Sequence, residues 1–475
     1  MGFNSLEFLV LAVIALTGHA LLDGKPLRLW LLFMSYVFYG WGHPWWVMGL
    51  LVASNVLDYT ATLRIEAAQT EQVRKFWLMT SIIGNLGLLA VFKYSGFFMR
   101  ILNRTFGLAS LDVQLPVPHI LLPPGISFYT FQTMSYTIDV YRRRIKPTHS
   151  FVTMATFVAY FPTLVAGPIE RATDLMDQLE VKKQRTPQHL INGMTRILWG
   201  LTKKVVFADW LGVFVHGVFA FPDAAAPLEI WLATYAFALQ IYLDFSAYTD
   251  IAAGLANMMG VDFVENFQWP YLARSIAEFW KRWHISFSTW LRDYLYIPLG
   301  GSRKGVRRTV INLFIVMFLG GLWHGAATTF ILWGLWIGMG LALYHVARHL
   351  GWVGGDDDAP FTWKDTFGVV VTFHFICISW VFFRAASTGD AFIMLRRMLW
   401  PFTNAPFNAS TPDLIRTMAM VVCVGAFHVL RGLNVALRWE KVRSPWAIGL
   451  LWGAMAAVMA LFFAPVQGQF IYFQF

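Results

Sequence analysis

Charge is what this chain has least of. Asp, Glu, Lys and Arg make up 13% of its 475 residues, about half the ~25% of an ordinary soluble domain. So little charge cannot clothe a water-facing surface. The 57% share of AVILMFWYC is too apolar for a disordered chain or a collagen-like fibre. Cysteine is nearly missing: Cys377 and Cys423 both lie in apolar runs and read as small core residues, with no disulfide framework and no thiolate metal site. No basic residue precedes the first apolar run, only Glu7, so a signal-peptide n-region is lacking. Position 6 is Leu where a myristoylation start wants Ser or Thr. Strand-like alternation is absent, which argues against an outer-membrane barrel. No GxSxG elbow, Walker A loop or dinucleotide fingerprint occurs, so serine hydrolases, NTPases and dehydrogenases have no footing. An all-α polytopic membrane protein remains.

The formal net charge of +10 sits in clusters between apolar runs: Arg142-Arg143-Arg144, Lys182-Lys183 and Arg303 to Arg308. Such clusters hold cytoplasmic loops beside anionic headgroups; no polar surface accompanies them that could follow a nucleic-acid backbone. Apolar runs lie near 6–22, 28–42, 44–63, 76–98, 126–141, 190–220, 228–257, 310–323, 325–346, 366–384, 412–434 and 446–465. A span of ~30 Å needs about 17–25 residues, so these make roughly a dozen membrane segments, some too short to cross alone. No repeat or long linker divides 1–475, and one membrane-embedded domain is expected. Between Arg308 and Arg348 there is no Asp, Glu, Lys or Arg, enough for two passes with a turn around Gly320-Gly321 and Gly325. The positive-inside rule puts 142–146, 182–185 and 303–308 in the cytoplasm. The run 151–169 between the first two contains Pro162, Gly167 and Pro168, which disrupt a helix, so it is expected to dip in and return. Pro123-Pro124-Gly125 marks a second broken entry.

The stretch Tyr271 to Gly301 carries the most information. On one continuous helical wheel, Ile276, Phe279, Trp280, Trp283, Phe287, Trp290 and Tyr294 form an aromatic stripe, opposite Arg274, Glu278, Lys281 and Arg292. Glu278 can pair with Lys281 and Arg282. The pattern fits a helix in the interface, or lining a wet funnel, with tryptophans as anchors. His284 falls at the seam, either incidental to an anchoring helix or functional. His324, in GGLWHGAA, lies midway through the long charge-free stretch, where an ionisable group is costly. It either takes a proton from a substrate hydroxyl or hydrogen-bonds across two packed helices. Asp244, Ser246, Tyr248 and Asp250 close an apolar helix and either line a cavity or mark a helix end. His345 and His349, four apart, have no third ligand in view, and no metal site is expected. His19, His43, His119, His149, His189, His216, His374 and His428 read as core or loop histidines.

Five blocks in order, PPGISFYTFQTMSYTIDVYR (123–142), FPTLVAGPIER (161–171), LDFSAYTDIAAGLANMMG (243–260), ENFQWPYLARSIAEFWKRWHISFSTWLRDYLYIPLGGSRKG (265–305) and GGLWHGAATTFILWG (320–334), resemble the membrane-bound O-acyltransferases, in their bacterial alginate O-acetyltransferase-like branch. The resemblance covers about 120–405. It implies a helical bundle with about 11–12 membrane segments, re-entrant or interfacial helices and a central funnel. His324 matches the family's catalytic histidine and His284 a second required histidine, a position that is Asn in many eukaryotic relatives. The resemblance further implies acetyl transfer from cytoplasmic acetyl-CoA, with no bound cofactor, across the bacterial inner membrane to an exported polysaccharide, completed by an extracytoplasmic acetyltransferase partner. Arg303, Lys304, Arg307 and Arg308 would then meet the donor's phosphates, or serve only to set topology. D-alanyl transfer to teichoic acid, a non-catalytic acyl transporter and a scaffold of an export complex are the alternatives. If 151–169 returns to its own side, cysteines placed at 146 and 183 react with a membrane-impermeant thiol reagent from the same face of the membrane.

Overall fold

The computed structural model describes residues 1–475 apart from 112, 119, 182–184, 355–360, 401–406, 408, 434–443, 465–467, 469 and 472–475. The Lys182-Lys183 cluster and His119 therefore lie outside the described residues. Among those described, helices account for all regular structure save one isolated bridge. Five are long and apolar enough to cross a membrane: Glu71–Leu108, Gly305–His324, Thr328–His349, Asp365–Arg384 and Thr411–Gly432. Leu6–Leu21 and Pro445–Leu461 are shorter and equally apolar. The chain is a multi-pass helical membrane protein.

Two compact units make up the chain, Met1–Ile197 with Ile251–Val264, and Leu198–Asp250 with Glu265–Phe475. In the first, helices begin where a hydroxyl can cap them: Ser5, Thr70 and Ser150 each accept a hydrogen bond from a backbone N–H of the turn that follows. Within the apolar runs a few polar side chains join the helices. The Asp58 carboxylate, on Trp45–Ala67, accepts from Ser81 and, at 2.8 Å, from Asn85 Nδ2 on Glu71–Leu89. Thr137 Oγ1, on Ile126–Tyr141, donates to it at 3.2 Å. Ser54 closes the group by donating to Asn85 Oδ1 at 2.7 Å. In a lipid-like environment such interhelical bonds contribute about 0.6–2 kcal/mol each.

Both irregular entries read from proline and glycine are present. Phe151–Ala159 has nine residues, a rise of about 14 Å, less than half a bilayer core. The chain then turns through 160–166 with every residue buried. The helix alone is too short to cross such a core. The segment 171–188, read only as a polar break, contains the amphipathic helix Ala172–Glu180.

Gly125 precedes Ile126–Tyr141 in the left-handed conformation, φ +70°, and a Cβ there would sit 2.4 Å from the carbonyl oxygen of Leu164. Gly125→Ala is therefore expected to cost about 1–3 kcal/mol. Gly217→Ala, where a Cβ in the helix Asp209–Ala220 meets nothing within 4 Å, should instead gain up to about 1 kcal/mol. Thermal melting of the detergent-solubilised chain should move in opposite directions for the two.

Candidate active site

The second unit builds its site on a helical hairpin. Gly305–His324 and Thr328–His349 are joined by Gly325-Ala326-Ala327, where the sequence places a turn. The two helices touch backbone to backbone. A Cβ on Gly321 would lie 2.3 Å from the Phe330 carbonyl oxygen and 3.2 Å from the Gly334 Cα. One on Gly334 would lie 2.3 Å from the Met317 carbonyl oxygen. Glycine is the only residue that fits either place. This contact fixes the last turn of the first helix, whose final residue is His324.

His324 is buried in an aromatic box. Its ring meets Trp323, Trp333 and Phe383 edge-on at centroid separations of 4.9, 5.0 and 5.3 Å, and Phe287 at 5.6 Å. His284, with no exposed surface, stacks on Phe287 at 5.0 Å, meets Phe245 edge-on at 4.7 Å and faces Trp323 at 6.2 Å. Phe287 and Trp323 are themselves stacked at 4.4 Å. The two histidines, 40 residues apart in sequence, thus share one pair of rings. Burial pushes the His284 imidazole down to about 3, so it is neutral at physiological pH.

The continuous helix read across 276–294 is corrected. Ile276–Arg282 stops at Trp283, His284 takes φ +44°, ψ +54°, and a new helix runs over Ile285–Leu291 into a π-turn at Arg292–Tyr296. A left-handed conformation at a non-glycine residue costs roughly 1–2 kcal/mol and re-aims the side chain. Nor are the stripe residues membrane anchors: Ile276, Phe279, Trp280, Trp283, Phe287, Trp290 and Tyr294 are all buried in the protein. Phe279 stacks on Trp283, Trp283 leans on Trp380, and Trp380 stacks on Trp333, which carries the packing to His324. Glu278 is buried as well. Its pairing with Arg282 is present at 2.6 Å, and Arg274 takes its other oxygen at 3.2 Å.

Asp244, Ser246 and Asp250 are engaged by two lysines the sequence reading passed over. Lys203 Nζ lies 2.6 Å from Asp250 and 2.8 Å from Ser246. Lys204 Nζ lies 2.6 Å from Asp244 and 2.9 Å from Asp209. Tyr248 is buried and meets the Phe470 ring edge-on. A π-helical turn, Lys203–Ala208, puts both lysines inward. Two lysines inside one apolar run, set against carboxylates in another, were the available signal. Arg303, Lys304, Arg307 and Arg308 are exposed, in the turn before Gly305–His324 and its first turn. Of the remaining histidines, His374 bonds the Tyr235 hydroxyl at 3.0 Å and His149 faces Glu66 at 3.1 Å. His428 packs among Tyr242, Trp269 and Tyr271.

A sequence profile of the membrane-bound O-acyltransferase family matches residues 31–351. The chain belongs to that family. It is 42% identical to a protein named probable alginate O-acetylase AlgI from Pseudomonas aeruginosa, over 91% of this chain and 82% of the relative. The Pseudomonas putida protein of the same name is 38% identical over the full length of both. A peptidoglycan O-acetyltransferase from Helicobacter pylori is 33% identical over 78% of this chain and 73% of its own. As a member of the O-acyltransferase family, the chain is a membrane enzyme that moves acyl groups.

Removing one partner of a buried ion pair strands the others. Lys204→Met leaves Asp244 and Asp209 facing each other and is expected to destabilise the enzyme by about 3–5 kcal/mol. Lys304→Met, at the exposed turn, should stay within about 0.5 kcal/mol. Tryptophan-fluorescence melting of the two variants in detergent checks the difference.

Proposed function

We propose that the enzyme transfers acetyl groups from cytoplasmic acetyl-CoA for O-acetylation of an exported polysaccharide, alginate or a similar exopolysaccharide, in the bacterial inner membrane. The observation that carries this reading is the pair of buried histidines sharing Phe287 and Trp323, in a chain about 40% identical to proteins named alginate O-acetylases. In this account His324 acts as general base. Its neutral imidazole takes the proton of the acceptor hydroxyl as that oxygen bonds to the acyl carbon. The tetrahedral centre then collapses, the carbon–sulfur bond of the thioester breaks, and the imidazolium returns the proton to the departing sulfur. His284 orients donor or acceptor, or relays the proton. The aromatic box keeps water away from the thioester and strengthens each hydrogen bond formed there.

Arg303, Lys304, Arg307 and Arg308 are exposed cations suited to the phosphates of the donor. Asp244, Ser246 and Asp250, held in place by Lys203 and Lys204, line the substrate-binding region together with the buried Tyr248. An extracytoplasmic acetyltransferase completes transfer to the polymer.

His324→Ala is expected to abolish polymer acetylation, by about 10²–10⁴-fold or more as for loss of a general base, while the protein level in the membrane is unchanged. Mass spectrometry of secreted and wall polymers reads this out. Unchanged acetyl content would remove the assigned role and favour a scaffold. Loss of D-alanyl esters in place of acetyl esters would point to teichoic acid. Donor crossing vesicles without any transfer would make the chain a transporter.

A further inference from the structure

The helix Ile285–Leu291 starts in an unusual way. The first N–H groups of a helix have no partner within it, and the residue just before the helix ordinarily supplies one from its own side chain, typically Ser, Thr, Asp or Asn. Here that residue is His284, and it makes no side-chain cap; its imidazole is turned to Phe245, Phe287 and Trp323. The cap comes from elsewhere. Asn266, with no exposed surface, accepts from the Ile285 N–H through its main-chain carbonyl at 3.0 Å. Its Oδ1 accepts from the Ser286 N–H at 3.1 Å and from the Ser286 hydroxyl at 2.9 Å.

The same strip of chain grips the other side of His284. The Gln268 N–H donates to the Arg282 carbonyl at 2.9 Å, and Phe267 and Trp283 form the isolated antiparallel bridge. Residues 266–268 therefore run beside 282–286 as a clip, and the histidine is the residue the clip straddles. Packing alone does not account for an asparagine at 266. Its Nδ2 is buried and has no hydrogen-bond partner among the described residues, a cost that an apolar side chain of similar size would avoid. What the asparagine supplies is an acceptor for the start of the helix.

We infer that Asn266 is a positioning residue of the acyl-transfer reaction: by capping Ile285–Leu291 from outside, it holds His284 left-handed and leaves the imidazole directed at the rings it shares with His324. If the histidine had to cap its own helix, it could not also face Phe287. The inference rests on the role of His284 proposed above, and it assigns the geometry of that role to a residue outside the helix.

The test uses the full-length enzyme in host membrane vesicles that retain the extracytoplasmic acetyltransferase, with acetyl-CoA as donor and an alginate oligosaccharide as acceptor, and the detergent-purified enzyme for melting. Release of the CoA thiol gives kcat and KM, and tryptophan fluorescence gives the melting temperature. Asn266→Ala is expected to lower kcat at least about tenfold, the scale on which misplacing a catalytic group acts, with KM for acetyl-CoA within about twofold of wild type. A residue that serves only packing would change the melting temperature and leave the kcat of the folded fraction alone. Ser286→Ala removes the hydroxyl bond to Oδ1 and should lower kcat about two- to fivefold with unchanged melting. Should Asn266→Ala fail to accumulate, Ser286→Ala decides. Unchanged kcat in a folded Asn266→Ala enzyme, or in Ser286→Ala where that variant decides, overturns the inference while the proposed function stands. Full activity in His284→Ala, assayed alongside, would instead overturn the role of that histidine and the inference with it.

Discussion

Everything around His324 depends on two helices being allowed to touch through their backbones. Gly321 and Gly334 each stand where a single added carbon would come within 2.3 Å of a carbonyl oxygen of the facing helix. In a membrane the hydrophobic effect does not drive helices together, so close dispersion contact must do so. With the backbones in register, the loop at 325–327 is short, the last turn of Gly305–His324 is held, and the aromatic residues of neighbouring helices can close around the imidazole. A larger residue at either glycine would open the hairpin at the level where the histidine sits.

The second constraint is the burial of charge. Lys203, Lys204, Asp209, Asp244 and Asp250 form one cluster of buried charge in the second unit. Such groups are tolerated only when each faces an opposite charge at hydrogen-bonding distance. The π-turn at Lys203–Ala208 makes this possible: one extra residue per turn rotates both lysines to the same side as the carboxylates of Pro227–Met258. The network is therefore a property of local helical pitch as much as of composition.

Much of this was legible in the sequence, and for identifiable reasons. Glycine and proline mark the hairpin turn at 325 and the entries at 125 and 162, because those residues permit or force their backbone conformations. His324 stands out since no Asp, Glu, Lys or Arg shares its stretch between Arg308 and Arg348. Period counting failed where the helix did not keep its period. Between Trp283 and His284 the chain breaks without glycine or proline, so no local punctuation betrays it; the cause is Asn266, 18 residues upstream. The inward lysines escaped as well, since the π-turn at Lys203–Ala208 that directs them has no glycine or proline to mark it. Even so, the aromatic stripe was read on the correct residues. Its members are buried, although against protein and not at a membrane surface.

One further property follows from the segment near Ile471. The Ile471 N–H donates to Asp244 Oδ2 at 2.7 Å, and the Phe470 ring lies under the Lys204 ammonium at 4.6 Å. Both are synthesised more than two hundred residues after the Asp244 carboxylate whose network they complete. Until they are made, the Asp244 carboxylate on Pro227–Met258 lacks the Ile471 N–H that it accepts from. The buried charge network of this unit is thus closed by chain made long after the helix that carries its carboxylates.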